Sequence, residues 1–209
     1  MNKSVVCVLA MAVASFGCSK KEKETKKEEV DINNAAAAMG KAMNQLVENS
    51  KTAAAKGVVD FHEMKELLPK ELPGGFKGEL KGSKSGAMGM SVSEVEGQYH
   101  TENGESSISI KMTDMSGTGF GALAHAAWAS VDVDNESDDE YEKTTKIDGN
   151  KALEKYNKKD KYGSIQIIVD GRISVEVTGS NVKMEQIKGA LEAVDLKKLT
   201  ALKPVAPSA

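Results

Sequence analysis

Tyr162 to Thr178 reads YGSIQIIVDGRISVEVT. Ile165, Ile167 and Val169 alternate with Ser164, Gln166 and Ile168, and past Asp170-Gly171 the residues Ile173, Val175 and Val177 alternate with Ser174, Glu176 and Thr178. A period of two on both sides of a two-residue Asp-Gly link predicts a β-hairpin with a type I′ turn. That turn needs positive φ at both central positions, and its twist matches the strands it joins. A lone hairpin is marginal in water, so the chain must supply more strands and an apolar cover for one face.

Working outward, Tyr141 to Ile147 and Lys151 to Tyr156 read as two strands joined at Asp148-Gly149, which makes a meander of four with the hairpin. Further upstream Phe76 to Leu80, Met88 to Tyr99 and Ile108 to Met112 read as strands, the last two linked through Asn103-Gly104, another type I′ signal. The apolar phase shifts from Met88, Met90 and Val92 to Val95, Gly97 and Tyr99, which predicts a bulge near Ser93-Glu94. Between the strand blocks, Phe120, Leu123, Ala124, Ala127, Trp128 and Val131 recur at helical spacing. This helix is expected to cross the sheet with Trp128 as its largest buried body.

Asp60 can cap a short helix from Phe61 to Leu68, ended by Pro69. Val182 to Val194 reads as a C-terminal helix with Met184, Ile187, Leu191 and Val194 inward, and Leu196, Leu199 and Leu202 extend its seam. Met39, Ala42, Met43, Leu46 and Val47 mark an N-terminal helix in an Ala-rich background. The expected fold class is α+β, an antiparallel sheet of about six to seven strands in meander hairpins, with helices packed mainly on one face.

The first eighteen residues, MNKSVVCVLAMAVASFGC, place Lys3 before the apolar run Val5 to Phe16 and end on Gly17-Cys18. A basic start and an apolar core too short to span a bilayer describe a secretory signal, residues 1–17. Gly17-Cys18 resembles the lipobox of bacterial lipoproteins, in which the Cys thiol takes diacylglycerol and becomes the new N-terminus. Ser15 and Phe16 depart from that pattern, and cleavage after Ala12 or Ala14, leaving a free Cys18, is the competing reading. Lipidation at Cys18 removes the oddity of a lone thiol in an oxidising compartment. Cys7 leaves with the signal. Residues 18–33 carry a mixed-charge run, SKKEKETKKEEVD, that cannot repay its ordering entropy and reads as a solvated tether. Residues 34–57 hold the N-terminal helix, 58–203 the α+β domain and 204–209 a tail. The expected address is a bacterial cell envelope, lipid-anchored at the outer membrane, with the membrane as a partner through the anchor.

Of 209 residues 40% are hydrophobic and 28% charged, which fits one main globular domain. Net charge is -3 and Arg172 is the sole Arg, so no basic stripe exists for nucleic acid. Gly117-Thr118-Gly119-Phe120-Gly121-Ala122 has the G-x-G-x-x-A outline of a dinucleotide loop, but the strand before it alternates with Ser and Lys, unlike a buried parallel strand. It reads instead as a strand-to-helix link in close contact with the sheet. Asp132, Asp134, Glu136, Asp138, Asp139 and Glu140 begin like a calcium loop but lack its Gly and its final Glu, Lys143 standing there instead. A solvated acidic loop is the better account. His62, His100 and His125 show no paired metal spacing. Asp114 and Arg172 read as a structural ion pair. No catalytic, metal or cofactor residue is assigned.

Met is frequent, at 10 residues, and soft side chains suit a surface that repacks around a partner, although they equally suit a core. Met112, Met115, Phe120 and Trp128 are therefore the candidate binding surface, for an envelope protein or an apolar ligand. Three functions follow. The leading one is a non-enzymatic binding or accessory lipoprotein. The others are an envelope hydrolase using Asp114 with His125 or the acidic loop, and a purely structural envelope protein.

Val59 to Gly74 (VDFHEMKELLPKELPG), Gly86 to Tyr99, Ile108 to Trp128 and Gly149 to Leu199 resemble a family of uncharacterised bacterial lipoproteins and exported proteins. The resemblance implies no activity and no catalytic residue. The element order also resembles the PsbP/Mog1-type antiparallel sheet flanked by helices, whose members are mostly accessory and binding proteins, a likeness of fold alone.

Overall fold

A computed structural model describes residues 57–87, 90–118 and 121–205, together with Gly40, Lys41, Asn44, Glu48 and Thr52. Those five are helical and exposed, within the stretch read as the N-terminal helix. The signal segment, Cys18, the tether, Phe120 and the last residues of the tail lie outside the described residues.

Asp60 caps the first helix as its position suggests, its Oδ1 accepting from the His62 N–H at 2.8 Å. That helix is α1 (Phe61–Glu66). Four strands follow: β1 (Glu71–Leu72), β2 (Phe76–Ala87), β3 (Met90–His100) and β4 (Ser107–Asp114). A 3-10 turn (Ser116–Thr118) and α2 (Gly121–Ser130) lead to β5 (Asp134–Glu136), β6 (Glu140–Ile147), β7 (Asn150–Asn157), β8 (Tyr162–Val169) and β9 (Ile173–Ser180). The described fold ends on α3 (Met184–Glu192) and α4 (Leu196–Ala201).

All nine described strands belong to one antiparallel sheet, in the order β1-β2-β3-β4-β9-β8-β7-β6-β5. The chain meanders from one edge to the centre, passes the strand ends through α2, restarts at the far edge and meanders back until β9 pairs with β4. The seam runs in register from Ser107↔Ser180 to Asp114↔Ile173. Asp148-Gly149 and Asp170-Gly171 all have positive φ, as type I′ turns require. Asn103-Gly104 differs: only Gly104 is left-handed, and the loop closes through the Thr101 N–H on Ser106 O at 3.1 Å.

The expected six to seven strands with helices packed mainly on one face is corrected. One nine-stranded sheet dominates, and the described helices are four short ones of six to ten residues. Two of the strands, β1 and β5, are edge pieces of two and three residues, too short to show a period. The C-terminal seam breaks into α3 and α4, because Asp195 caps a new helix by accepting from the Lys198 N–H at 2.9 Å. No bulge occurs in β3, which pairs continuously with β2 from Lys77↔His100 to Ala87↔Met90. Ser91 and Ser93 keep the inward phase there, in place of Met90 and Val92.

One side of the sheet carries the core: Val95 and Tyr99, Ile108, Ile110 and Met112, Ile165, Ile167 and Val169, Ile173, Val175 and Val177. Fully burying each such aliphatic side chain contributes about 1.5–3 kcal/mol. Two glycines allow their covers to approach. A Cβ on Gly179 would stand 2.4 Å from Val182 and 2.8 Å from Ile187, and one on Gly82 would stand 2.5 Å from Phe61. The Tyr99 ring lies over Gly78 and Gly97, its hydroxyl donates to Pro69 O at 2.7 Å, and burial pushes the phenol up to about 12.

Candidate functional site

The proposed Met surface is not assembled. Met112 is fully buried in the core, Met115 and Trp128 are half-buried, and Phe120 is not described. α2 lies at the strand ends rather than across the core face: from Ala124 to Ser130 its residues are exposed or half-buried, and Lys151 Nζ donates to Ala129 O and Val131 O near its C-terminus. Gly117 accounts for the glycine-rich link, since a Cβ there would come within 2.5 Å of Ser91 Oγ and 2.9 Å of Val58.

Asp114 is completely buried, and its carboxylate is fully engaged. Oδ1 accepts from the Ser116 N–H at 2.9 Å, and Oδ2 accepts from the Val59 N–H at 2.7 Å and faces Arg172 at 3.5 Å. Arg172 also reaches Asp170 at 3.1 Å and Leu202 O at 2.5 Å. The pair ties the entering chain, the β8–β9 turn and the C-terminal segment together. His125 sits instead by Gly171, where a Cβ would come 3.4 Å from its ring, and no hydrogen bond joins it to Asp114.

His62 is used locally, its Nδ1 2.8 Å from Asp60, whose carboxyl is held below the usual range by the His62 backbone N–H and then by that ring. The acidic run is partly the edge strand β5, with Asp134 opposite Lys143 and Glu136 3.6 Å from Lys158. Among the described residues no group of three His, Cys, Asp or Glu side chains could hold a metal ion.

What the fold does assemble is the other side of the sheet. Strand alternation sends every second side chain away from the core, and antiparallel register stacks them in rows. Gln98, Ser109, Thr178, Ser164, Lys155 and Glu142 form one row across β3, β4, β9, β8, β7 and β6. The next row is Glu96, Lys111, Glu176, Gln166, Leu153 and Thr144. Eleven of the twelve are half-buried, and Lys155 is exposed. The short hydroxyl residues of the first row form a floor and the long residues of the second a wall.

Two shallow grooves result, one of about 670 Å³ and one of about 350 Å³, and both are lined by Tyr162 and Glu176. Tyr162 is one of two large hydrophobics that stand more than half exposed among the described residues. Tyr141 and Tyr156 border the larger groove, but their side chains pack against the core. Electrostatically the face is cross-linked within itself. Lys111 is held above the ordinary lysine range by its hydrogen bond to Glu94 at 2.9 Å, with Glu96 and Glu176 adding to the field. Lys155 pairs with Glu142 at 2.8 Å, and Gln98 bridges Glu96 and Ser109. Hydroxyls, amides and paired charges can bond an extended polar ligand, and none of them is poised as a nucleophile beside a base.

Sequence reasoning identified these residues only as the polar phase of their strands. The usable signal was that phase's content of Ser, Thr, Gln, Glu and Lys, broken only by Leu153 within the two rows, with an aromatic at Tyr162. No family model, curated protein or solved structure matches the chain.

Proposed function

We propose that the chain is a non-enzymatic binding or accessory domain, held to a bacterial envelope by a lipid on Cys18, and that it presents the uncovered face of its sheet to a polar ligand. The observation that supports the reading is the division of the sheet: one face carries the buried core, while the other is a hydrogen-bonding grid whose two grooves meet at Tyr162. A signal ending in Gly17-Cys18 and a charged run behind it supply the tether. Among the described residues no helix is long and apolar enough to cross a membrane. The hydrolase reading draws least support, because the Asp114 carboxylate is taken up by Val59, Ser116 and Arg172.

The test uses a photo-crosslinking residue in cells. Placed at Tyr162 or Gln166 it should capture a defined envelope component, and placed at Lys65 or Glu192, on the helix-covered side, it should not. Equal capture from both sides, or none from Tyr162, would remove the open face as the binding surface. Mass spectrometry of the N-terminal peptide checks the anchor separately: an unacylated Cys18 ends that part.

A further inference from the structure

The nine-stranded sheet is open, and its two edges differ in charge. On one side β1 covers only the start of β2, at Leu72↔Phe76 and Glu71↔Lys77, and the Gly78 N–H reaches outward to Lys70 O at 3.0 Å. Backbone groups alternate sides along a strand, so those of Leu80, Gly82, Lys84 and Gly86 also point outward, with no strand beside them among the described residues. Lys70, Lys77, Lys81 and Lys84 stand exposed along this edge, against Glu71 and Glu79.

At the other side Val133 O accepts from the Thr144 N–H at 2.7 Å and the Ser137 N–H reaches Glu140 O at 2.8 Å, which turns the backbone of Asp134 and Glu136 outward. Asp132, Asp134, Glu136, Asp138 and Asp139 are all exposed around it. Charged residues on an edge ordinarily keep sheets apart. Guards of one sign at both edges would do so by repulsion. Here the edges carry opposite signs, and a second copy meets attraction.

We propose that the chain self-associates head to tail, the basic β2 edge of one copy receiving the acidic β5 edge of the next as an added antiparallel strand. Strand order supports the geometry. β2 and β5 hold the second and ninth places in a sheet that alternates direction throughout, so a copy that continues the sheet and its twist brings them together antiparallel. The contact is heterologous and leaves a free edge at each end, so it grows as a row rather than closing as a dimer. β5 is short, so each contact is weak. Where copies share a membrane, confinement raises their effective concentration. This inference stands on the edges and needs no ligand on the open face.

The experiment is sedimentation of the full chain in detergent at low ionic strength and in about 1 M salt, where the Debye length falls to roughly 3 Å. The average mass should rise with protein concentration at low salt and drop to monomer at high salt. Lys81→Glu with Lys84→Glu, which makes both edges acidic, should weaken association by at least about tenfold, equivalent to about 1.4 kcal/mol. Asp134→Lys with Glu136→Lys, which puts two Lys on β5 itself between Asp132, Asp138 and Asp139, should do the same. Mixing the two variants, or combining all four substitutions in one chain, should restore it. All four residues are exposed, so the core is not at stake; because Asp134→Lys faces Lys143 and Glu136→Lys loses Lys158, the Lys81→Glu, Lys84→Glu variant, whose strand keeps its pairing with β3, is the deciding arm. A monomer at every concentration in low salt overturns the proposal, and so does association that the swaps leave unchanged.

Discussion

The two faces of the sheet are made by the same strands, one residue apart. Thr113 and Asp114 are neighbours in β4, yet one stands half-buried on the open face and the other lies wholly inside, bonded to two backbone N–H groups and facing the only Arg. The difference teaches where this protein keeps its stability and where it can vary. Polar groups of the closed face have no water to fall back on, so each is either partnered within the protein or a cost. Polar groups of the open face keep solvent contact, and what they bond is a matter of recognition.

The largest expected effect tests that division at those two neighbours. Asp114→Ala leaves Arg172 and the Val59 and Ser116 N–H groups without their shared acceptor, a loss of about 3–5 kcal/mol for breaking a buried pair. Thr113→Ala should change stability by no more than about 0.5 kcal/mol. Urea midpoints of the two variants read the contrast directly. Similar losses in both would mean that the faces are not energetically distinct.

A second way to sharpen the comparison uses alkali. Burial pushes the Tyr99 phenol up to about 12, and the Tyr141 phenol reaches about 12 through burial with help from Glu154 and Glu185. Both are raised above the ordinary value of 10, so the fold favours the neutral phenol. Their contribution is whole below pH 10 and is lost as pH climbs from 10 towards about 12. Stability measured across that window should fall, and Tyr99→Phe should flatten the fall while giving up the bond to Pro69 O. An unchanged slope in Tyr99→Phe would show that Tyr99 is not among the groups responsible.

The closed face was also the more readable one. The meander β6 to β9 follows from alternation and from Asp148-Gly149 and Asp170-Gly171, because these cues act between residues a few positions apart. β1 and β5 could not be read, since two or three residues carry no period, and the second half of β2, KGSKSGA, offers no apolar residue to mark a phase. The Trp128 helix misled for a different reason. Taken as a whole the helix is apolar without a one-sided stripe, and its position is set by topology: the chain has to travel past the strand ends to reach the far edge, and the helix goes with it. The candidate site was visible residue by residue and invisible as a surface. Ser109, Thr178 and Ser164 become one floor only through the β4–β9 seam, a pairing of strands far apart in sequence that nothing local specifies.

The smallest expected effect concerns the place where the closed face breaks its own rule. Ser91 and Ser93 continue the inward phase of β3, Ser93 is wholly buried, and neither hydroxyl finds a partner. An unbonded buried hydroxyl costs about 1–3 kcal/mol, and alanine removes it at little cost in volume, so Ser93→Ala should raise stability by about 1 kcal/mol. The same logic explains why the sequence suggested a bulge at this point: Met90 and Val92 are the residues that would suit the interior, and continuous pairing with β2 denies it to them. A Ser93→Ala variant less stable than its parent by a kilocalorie or more would mean that the hydroxyl is satisfied after all.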